Sequence, residues 1–206
     1  MRHLNHARLA EGIGILSGRD PDLAATVHRF GPPPLWAREP GFATLLQIIL
    51  EQQVSLASAR AAYDRLADSI PSVTPENFLL LDDTTLRGVG FSRQKARYGR
   101  VLASAIIDGS FDLTAVARRP DEQARKALMS LTGVGAWTAD TYLLMALLRP
   151  DVWPAGDIAL QASLHDLKGL ASRPSPKALI DLAEPWRPWR AVAARILWFH
   201  YLGGRA

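Results

Sequence analysis

The chain contains no cysteine. That absence excludes disulfides, thiolate zinc sites, a cysteine nucleophile and any cysteine-ligated iron–sulfur cluster. It also has no apolar run near the roughly 18 residues that a membrane span requires. The polar N-terminus (Arg2, His3, Asn5, His6, Arg8) has no apolar signal-peptide segment, so a cytoplasmic protein without a membrane partner is expected. Neither a Walker-type phosphate loop nor a dinucleotide fingerprint is present. The five histidines show no metal-ligand spacing with acidic residues, which removes a transition-metal site from consideration. Heptads, low-complexity tracts and tandem repeats are lacking. No stretch alternates long enough to make a strand.

What is present is an ordinary globular composition: 206 residues, 48% apolar and 21% charged. The 24 Lys and Arg against 20 acids give a net charge of +4, a modest excess compatible with a polyanionic partner but not diagnostic of one. Apolar periodicity predicts helices throughout. They cover about Met1–Ser17, Pro21–Phe30, Gly41–Ala67 (one long helix or two), Pro75–Leu81, Asp83–Arg87 and Ser92–Asp108. Further helices follow at Leu113–Arg119, Asp121–Ser130, Trp137–Leu148, Ile158–Leu167, Pro176–Glu184 and Pro188–Tyr201. The fold class is all-α.

Two glycines one residue apart, Gly133 and Gly135, interrupt helix on both sides within Leu131–Asp140. Such a G-x-G leaves little bulk at the bend and turns backbone N–H groups outward at the next helix's N-terminus, where a phosphate oxygen can approach. Taken in isolation, a G-x-G reads first as a tight helix–helix connection with a glycine cap. The similar Gly88-Val89-Gly90 reads as the same helix-ending device and not as a duplicated domain. Asp157 follows a Pro/Gly-containing loop and opens a helix. It is an N-cap by residue type, and the same N–H donors and helix dipole would keep a catalytic carboxylate ionised and fixed in direction. Tryptophans crowd the C-terminal third (Trp137, Trp153, Trp186, Trp189, Trp198). Core packing explains them, as does a surface on which a flat, cationic ligand stacks.

In combination these features resemble a known family, the helix-hairpin-helix DNA glycosylases, and within it the 3-methyladenine DNA glycosylase II (alkylpurine) branch. The resemblance rests on Leu131-Thr-Gly-Val-Gly-Ala-Trp-Thr-Ala139 and on Pro154-Ala-Gly-Asp157 at the expected separation. It rests also on Ile48-Ile-Leu-Glu-Gln-Gln-Val-Ser55, and on Pro185-Trp-Arg-Pro-Trp-Arg190 leading into Ile196–Tyr201.

The resemblance implies a single catalytic unit over 1–206, with one lobe at 40–149 containing the hairpin 131–137 and a second formed by 1–39 and 150–206. A cleft between the lobes would hold Asp157 facing the hairpin. It implies a partner, double-stranded DNA containing damaged bases, a monomeric and nucleoid-associated protein of bacterial type, and hydrolysis of the N-glycosidic bond of flipped-out alkylated purines (3-methyladenine, 7-methylguanine). Hypoxanthine, ethenoadenine or uracil as the lesion, or DNA binding without catalysis, are the alternatives. Asp157 takes the catalytic position. Trp137 occupies the place of the lyase lysine of bifunctional relatives, so no lyase activity is expected. Trp137, Trp198, Thr141 and Tyr142 fall at base-pocket positions. The N–H groups of Gly133, Gly135 and Ala136, with Thr138, Gln52 and Gln53, fall at DNA-binding ones. Gln53 matches a wedge position, with an exposed polar helix face as the plainer explanation for both glutamines. No cofactor is required by this pattern. Carbonyls of Met129, Leu131 and Val134 correspond to a monovalent-cation site (Na+ or K+), and the cluster-binding cysteines of iron–sulfur relatives are missing.

Overall fold

The computed structural model describes residues 3–203, and every regular element among them is helical. The chain divides into two compact units, Met1–Ala37 with Leu143–Ala206 and Arg38–Tyr142. Of the two boundaries, the one after Ala37 falls in an extended connector and the one after Tyr142 falls inside a helix.

The discontinuous unit contains α1 (His6–Arg19), α2 (Pro21–Phe30), α11 (Ile158–Leu167), α12 (Pro176–Ala183), a 3-10 turn (Glu184–Trp186) and α13 (Arg190–Tyr201). Its centre is α13, buried without interruption from Ala191 to Phe199. That run includes Arg195, whose fully buried guanidinium donates to the carbonyls of Leu35 (2.8 Å), Ala191 (2.9 Å) and Leu144 (2.9 Å). Each donor is matched to an acceptor, the condition under which a charged group is tolerated in a core. Burial lowers its pKa to about 10. The long stem of Arg195 therefore ties α13 to the connector at Leu35 and to the helix end at Leu144, which no short side chain would reach. Asp20 caps α2 and holds a second knot, accepting from Trp186 Nε1 (2.9 Å) and Lys168 Nζ (2.9 Å). Burial opposes ionisation of Asp20, yet the bonds from Lys168, Trp186 and Leu23 prevail and hold its carboxyl below the usual range.

The continuous unit contains α3 (Phe42–Glu51), α4 (Leu56–Ser69), α5 (Pro75–Leu79), α6 (Asp83–Gly88), α7 (Arg93–Ile107), α8 (Leu113–Arg118), α9 (Asp121–Met129) and the start of α10 (Ala136–Met145). Helix α3 is its core element, with Leu45, Leu46, Ile48 and Ile49 fully buried. The stretch 41–67 is two helices. Gln52 leaves the helical region, Gln53 is left-handed (φ 56°), and Ser55 caps α4 through the Ser58 N–H. Glu51, at the end of α3, pairs with Arg38 (2.9 Å), but burial outweighs that attraction and pushes its carboxyl above the usual range.

Several helix ends differ from their predicted positions. The first helix starts at His6, capped by Asn5; the first two residues of its predicted span lie outside the described residues. Helix α10 stops at Met145, three residues early. Leu148 adopts φ 51°, and its carbonyl accepts the Leu4 N–H (2.7 Å), so a tertiary contact ends a helix that propensity would extend. The last helix begins at Arg190, not Pro188. The Asp151 carboxylate binds the Arg190 side chain (2.9 Å), and Pro150 accepts the Ala191 N–H (3.0 Å).

Candidate DNA interface and candidate catalytic carboxylate

The hairpin belongs to the continuous unit. It joins α9 to α10, and Gly133 bends there with φ 92°, a conformation that side-chain-bearing residues adopt at a cost. A Cβ at Gly133 would also lie 2.2 Å from Cγ of Tyr98, whose ring on α7 supports the bend from beneath. Gly135 is different: it is exposed, and a Cβ built there meets nothing within 4 Å. One glycine is needed by the fold, and the other keeps the surface open. Across the hairpin, Arg125 Nε on α9 donates to Asp140 on α10 (2.7 Å), locking the two helices together. This bond raises the Arg125 pKa further.

Gln52 and Thr138 meet at this hairpin. The Gln52 side-chain amide donates to the Gly133 carbonyl (2.8 Å) and to Thr138 Oγ1 (2.8 Å), and Thr138 is only 2% exposed. Beside them Lys95 Nζ donates to the carbonyl of Leu50 in the last turn of α3 (2.6 Å), and burial lowers its pKa. Gln53 is exposed at the tip of the turn, followed by exposed Val54 and Leu56. Ala136 is exposed and Trp137 half-buried at the start of α10. Thr141 is buried, and its Oγ1 has no hydrogen-bond partner. Tyr142 is fully buried; its hydroxyl accepts the Gly41 N–H (3.0 Å), closing the start of α3, where the Gly41 cap has no side chain to offer.

The carboxylate lies in the discontinuous unit. Asp157 caps α11, and its Oδ1 accepts both the Leu160 N–H (2.9 Å) and the Trp198 indole N–H (3.1 Å). It is 8% exposed. Two donors on one oxygen, with the carboxylate at the N-terminal end of α11, hold the group in one orientation. Trp198 thus orients the carboxylate through its N–H, a role that aromatic composition alone does not reveal. Trp36 in turn packs edge-on against Trp198 (6.5 Å) and Phe199 (6.2 Å). Trp36 has φ 47°, and the preceding Leu35 carbonyl is the one held by Arg195. A buried arginine therefore places the tryptophan that places the indole on Asp157.

A helix-hairpin-helix, a helix-capping aspartate and a flanking indole occur together in one all-helical chain. The model of the HhH-GPD superfamily base excision DNA repair protein matches residues 46–188, which include the hairpin and Asp157. The chain belongs to the HhH-GPD superfamily. Relatives include DNA-3-methyladenine glycosylase 1 of Schizosaccharomyces pombe, 27% identical over 89% of this chain and 83% of that protein. DNA-3-methyladenine glycosylase 2 of Escherichia coli is 27% identical over 75% of this chain and 55% of its own length. A Bacillus subtilis relative is likewise spanned over 64% of its length. Among solved structures, the S. pombe 3-methyladenine DNA glycosylase in complex with abasic DNA superposes with a TM-score of 0.85. It covers 92% of this chain and 95% of that one at 27% identity. This HhH-GPD chain accordingly has the helix-hairpin-helix glycosylase fold.

Trp36, Lys95, Tyr98 and the Arg125–Asp140 pair are missing from the sequence-based site. Lys95 and Tyr98 stand in an amphipathic helix whose pattern says only that one face is buried. Arg125 and Asp140 lie on different helices, and no local rule pairs them.

Proposed function

We propose that this chain is a monofunctional DNA glycosylase of base excision repair that hydrolyses the N-glycosidic bond of alkylated purines. The observation that carries this reading is Asp157, a buried helix-capping carboxylate fixed by Leu160 and Trp198 in a chain of this superfamily. The names of the S. pombe and E. coli relatives support the substrate class.

The chemistry suits a single carboxylate. An alkylated purine already carries positive charge and departs readily with the bonding electrons once flipped out of the duplex. As the C1′–N bond breaks, the sugar acquires oxocarbenium character. An oriented anion stabilises that charge and directs a water oxygen onto C1′, with the proton passing to the carboxylate. Fixing Asp157 in advance avoids reorganisation at the moment of reaction. Trp137 stands where a lyase would need an amine, so no Schiff base forms and the strand stays intact. The N–H groups of Gly133, Gly135 and Ala136 bind a backbone phosphate at the open face of the hairpin, and the exposed Gln53 enters the space left by the flipped base.

A monovalent cation fits the hairpin by donor chemistry. Among the described residues no cluster of His, Cys, Asp or Glu could hold a metal, whereas backbone carbonyls suit Na+ or K+. Those of Met129, Leu131 and Val134 would hold it; the Leu131 oxygen, which accepts the Val134 N–H (3.0 Å), keeps a second lone pair. Such an ion would add positive charge beside the bound phosphate.

The test is a panel of duplexes, each with one lesion (3-methyladenine, 7-methylguanine, hypoxanthine, ethenoadenine or uracil), scored with and without alkaline cleavage. Release of the methylated purines, with strand breaks only after alkali, is expected. Breaks without alkali would refute the monofunctional assignment, and absence of release from every duplex would refute the activity.

A further inference from the structure

Gln52 sits between the two parts of the continuous unit that the proposed function sends to DNA, yet its side chain points inward. A glutamine amide has two N–H donors. Here both are used inside the protein, on the Gly133 carbonyl (2.8 Å) and on Thr138 Oγ1 (2.8 Å), the latter almost closed to solvent. The Gly133–Val134 peptide is thereby clamped at both ends. Its carbonyl is held by Gln52, and its N–H donates to Leu131 (3.0 Å). The direction of that peptide plane governs where the following N–H groups, those of Gly135 and Ala136, point.

The backbone of Gln52 is equally constrained. It closes α3 with φ −62° and ψ 126°, directly after the turn whose Leu50 carbonyl is taken by Lys95 (2.6 Å). Gln53 then adopts φ 56°, which costs a non-glycine residue on the order of 1 kcal/mol and persists only where the surroundings dictate it. Lys95 on one side and the Gln52 side chain on the other supply that control. The turn and the hairpin are thus a single piece, joined through one side chain.

We propose that Gln52 is a positioning residue that sets the register between the phosphate-binding hairpin and the Gln53 turn, and that it makes no DNA contact of its own. This rests on the glycosylase reading above. Phosphate and vacated base stack lie at a fixed separation along a duplex, so the elements that engage them must share one frame. A displacement of about 1 Å is enough to cost on the order of a hundredfold in rate.

The experiment compares Gln52→Leu, Thr138→Val, Gln53→Ala and the Gln52→Leu/Gln53→Ala double variant in the full chain. Three quantities are measured: amide shifts of Val134 and Gly135 by NMR without DNA, affinity for undamaged and abasic-analogue duplexes, and single-turnover base release. Gln52→Leu is expected to move the Val134 and Gly135 resonances in the free protein. It should lower base release and abasic-duplex affinity about tenfold, as expected for two hydrogen bonds, and lower affinity for undamaged duplex by clearly less, because there the hairpin meets a phosphate but no vacated base stack demands register with the Gln53 turn. Thr138→Val, which removes one of the two bonds and is the milder variant should Gln52→Leu fold poorly, should shift both readouts in the same direction. Adding Gln53→Ala to Gln52→Leu should cost nothing more, because a turn already out of register has nothing left to lose. Unmoved resonances with additive losses would overturn the proposal in favour of a direct DNA contact. A lowered melting temperature with unchanged release and abasic affinity would overturn it in favour of mere stability. If the unmodified protein releases no base, the glycosylase reading fails, and the resonances and the abasic-against-undamaged affinity ratio still decide the role of Gln52.

Discussion

Replacing each hairpin glycine by alanine separates what the fold demands from what DNA demands. At Gly133 two penalties coincide. A φ of 92° places Cβ against its own backbone, at about 1–2 kcal/mol. The same Cβ would stand 2.2–2.6 Å from three ring carbons of Tyr98. Those atoms belong to the near side of a ring held within the fold, so relief requires moving Tyr98 or the hairpin, at about 1–3 kcal/mol. Gly133→Ala should therefore lose about 2–5 kcal/mol, a large part of a typical domain's stability. Chemical denaturation measures it directly. Adding Tyr98→Ala tests the division: in a double-mutant cycle the packing penalty disappears and the backbone penalty remains. At Gly135 neither penalty operates, because a Cβ there meets nothing within 4 Å. Gly135→Ala should unfold like the wild type but bind duplex DNA more weakly, the methyl group standing where a phosphate would approach. A Gly133→Ala variant within about 0.5 kcal/mol of the wild type, well below either penalty, would refute the reasoning on the bend. Undiminished DNA affinity in Gly135→Ala would refute the assignment of the open face.

Two further outcomes follow from the discontinuous unit. Trp198→Phe removes the indole N–H from Asp157; losing one bond to a charged acceptor should slow single-turnover base release by about ten- to a hundredfold, with little change in duplex affinity. An unchanged rate would show that Leu160 and the helix suffice to orient the carboxylate. Asp20, with a folded-state pKa held below its ordinary 3.8, contributes stability that is present above that value and lost as pH falls through the lower, folded one. The stability difference between wild type and Asp20→Asn, followed by urea denaturation, should therefore shrink on acidification from about pH 4 downward, and a difference independent of pH would contradict it.

The parts of this molecule legible in its sequence are those governed by local rules. Asp157, an N-cap by residue type, and Ser92, at the predicted start of its helix, each cap a helix through their own side chain. The all-helical class and the bend at Gly133 follow from periodicity and glycine placement. Side chains whose roles depend on long-range partners were not legible. Trp198 and Tyr142 read as pocket aromatics, yet one spends its N–H on Asp157 and the other its hydroxyl on Gly41. Gln52 and Thr138 read as DNA contacts, yet they bond to each other across 86 residues of chain. Arg195 in a run of apolar residues carried no signal at all. Its meaning depends on carbonyls at Leu35 and Leu144 that only the folded backbone delivers.

The proposed chemistry depends on Asp157, and Asp157→Asn removes its charge with the least disturbance to the fold. Asparagine keeps the shape, and its carbonyl can still accept from Leu160 and Trp198, so the cap and the fold should survive. What it removes is the negative charge opposite the developing cation. Single-turnover release of methylated purine should fall by about a hundred- to a thousandfold, with affinity for undamaged duplex retained. Release at the wild-type rate would show that another group does the chemistry and would contradict the assignment of Asp157.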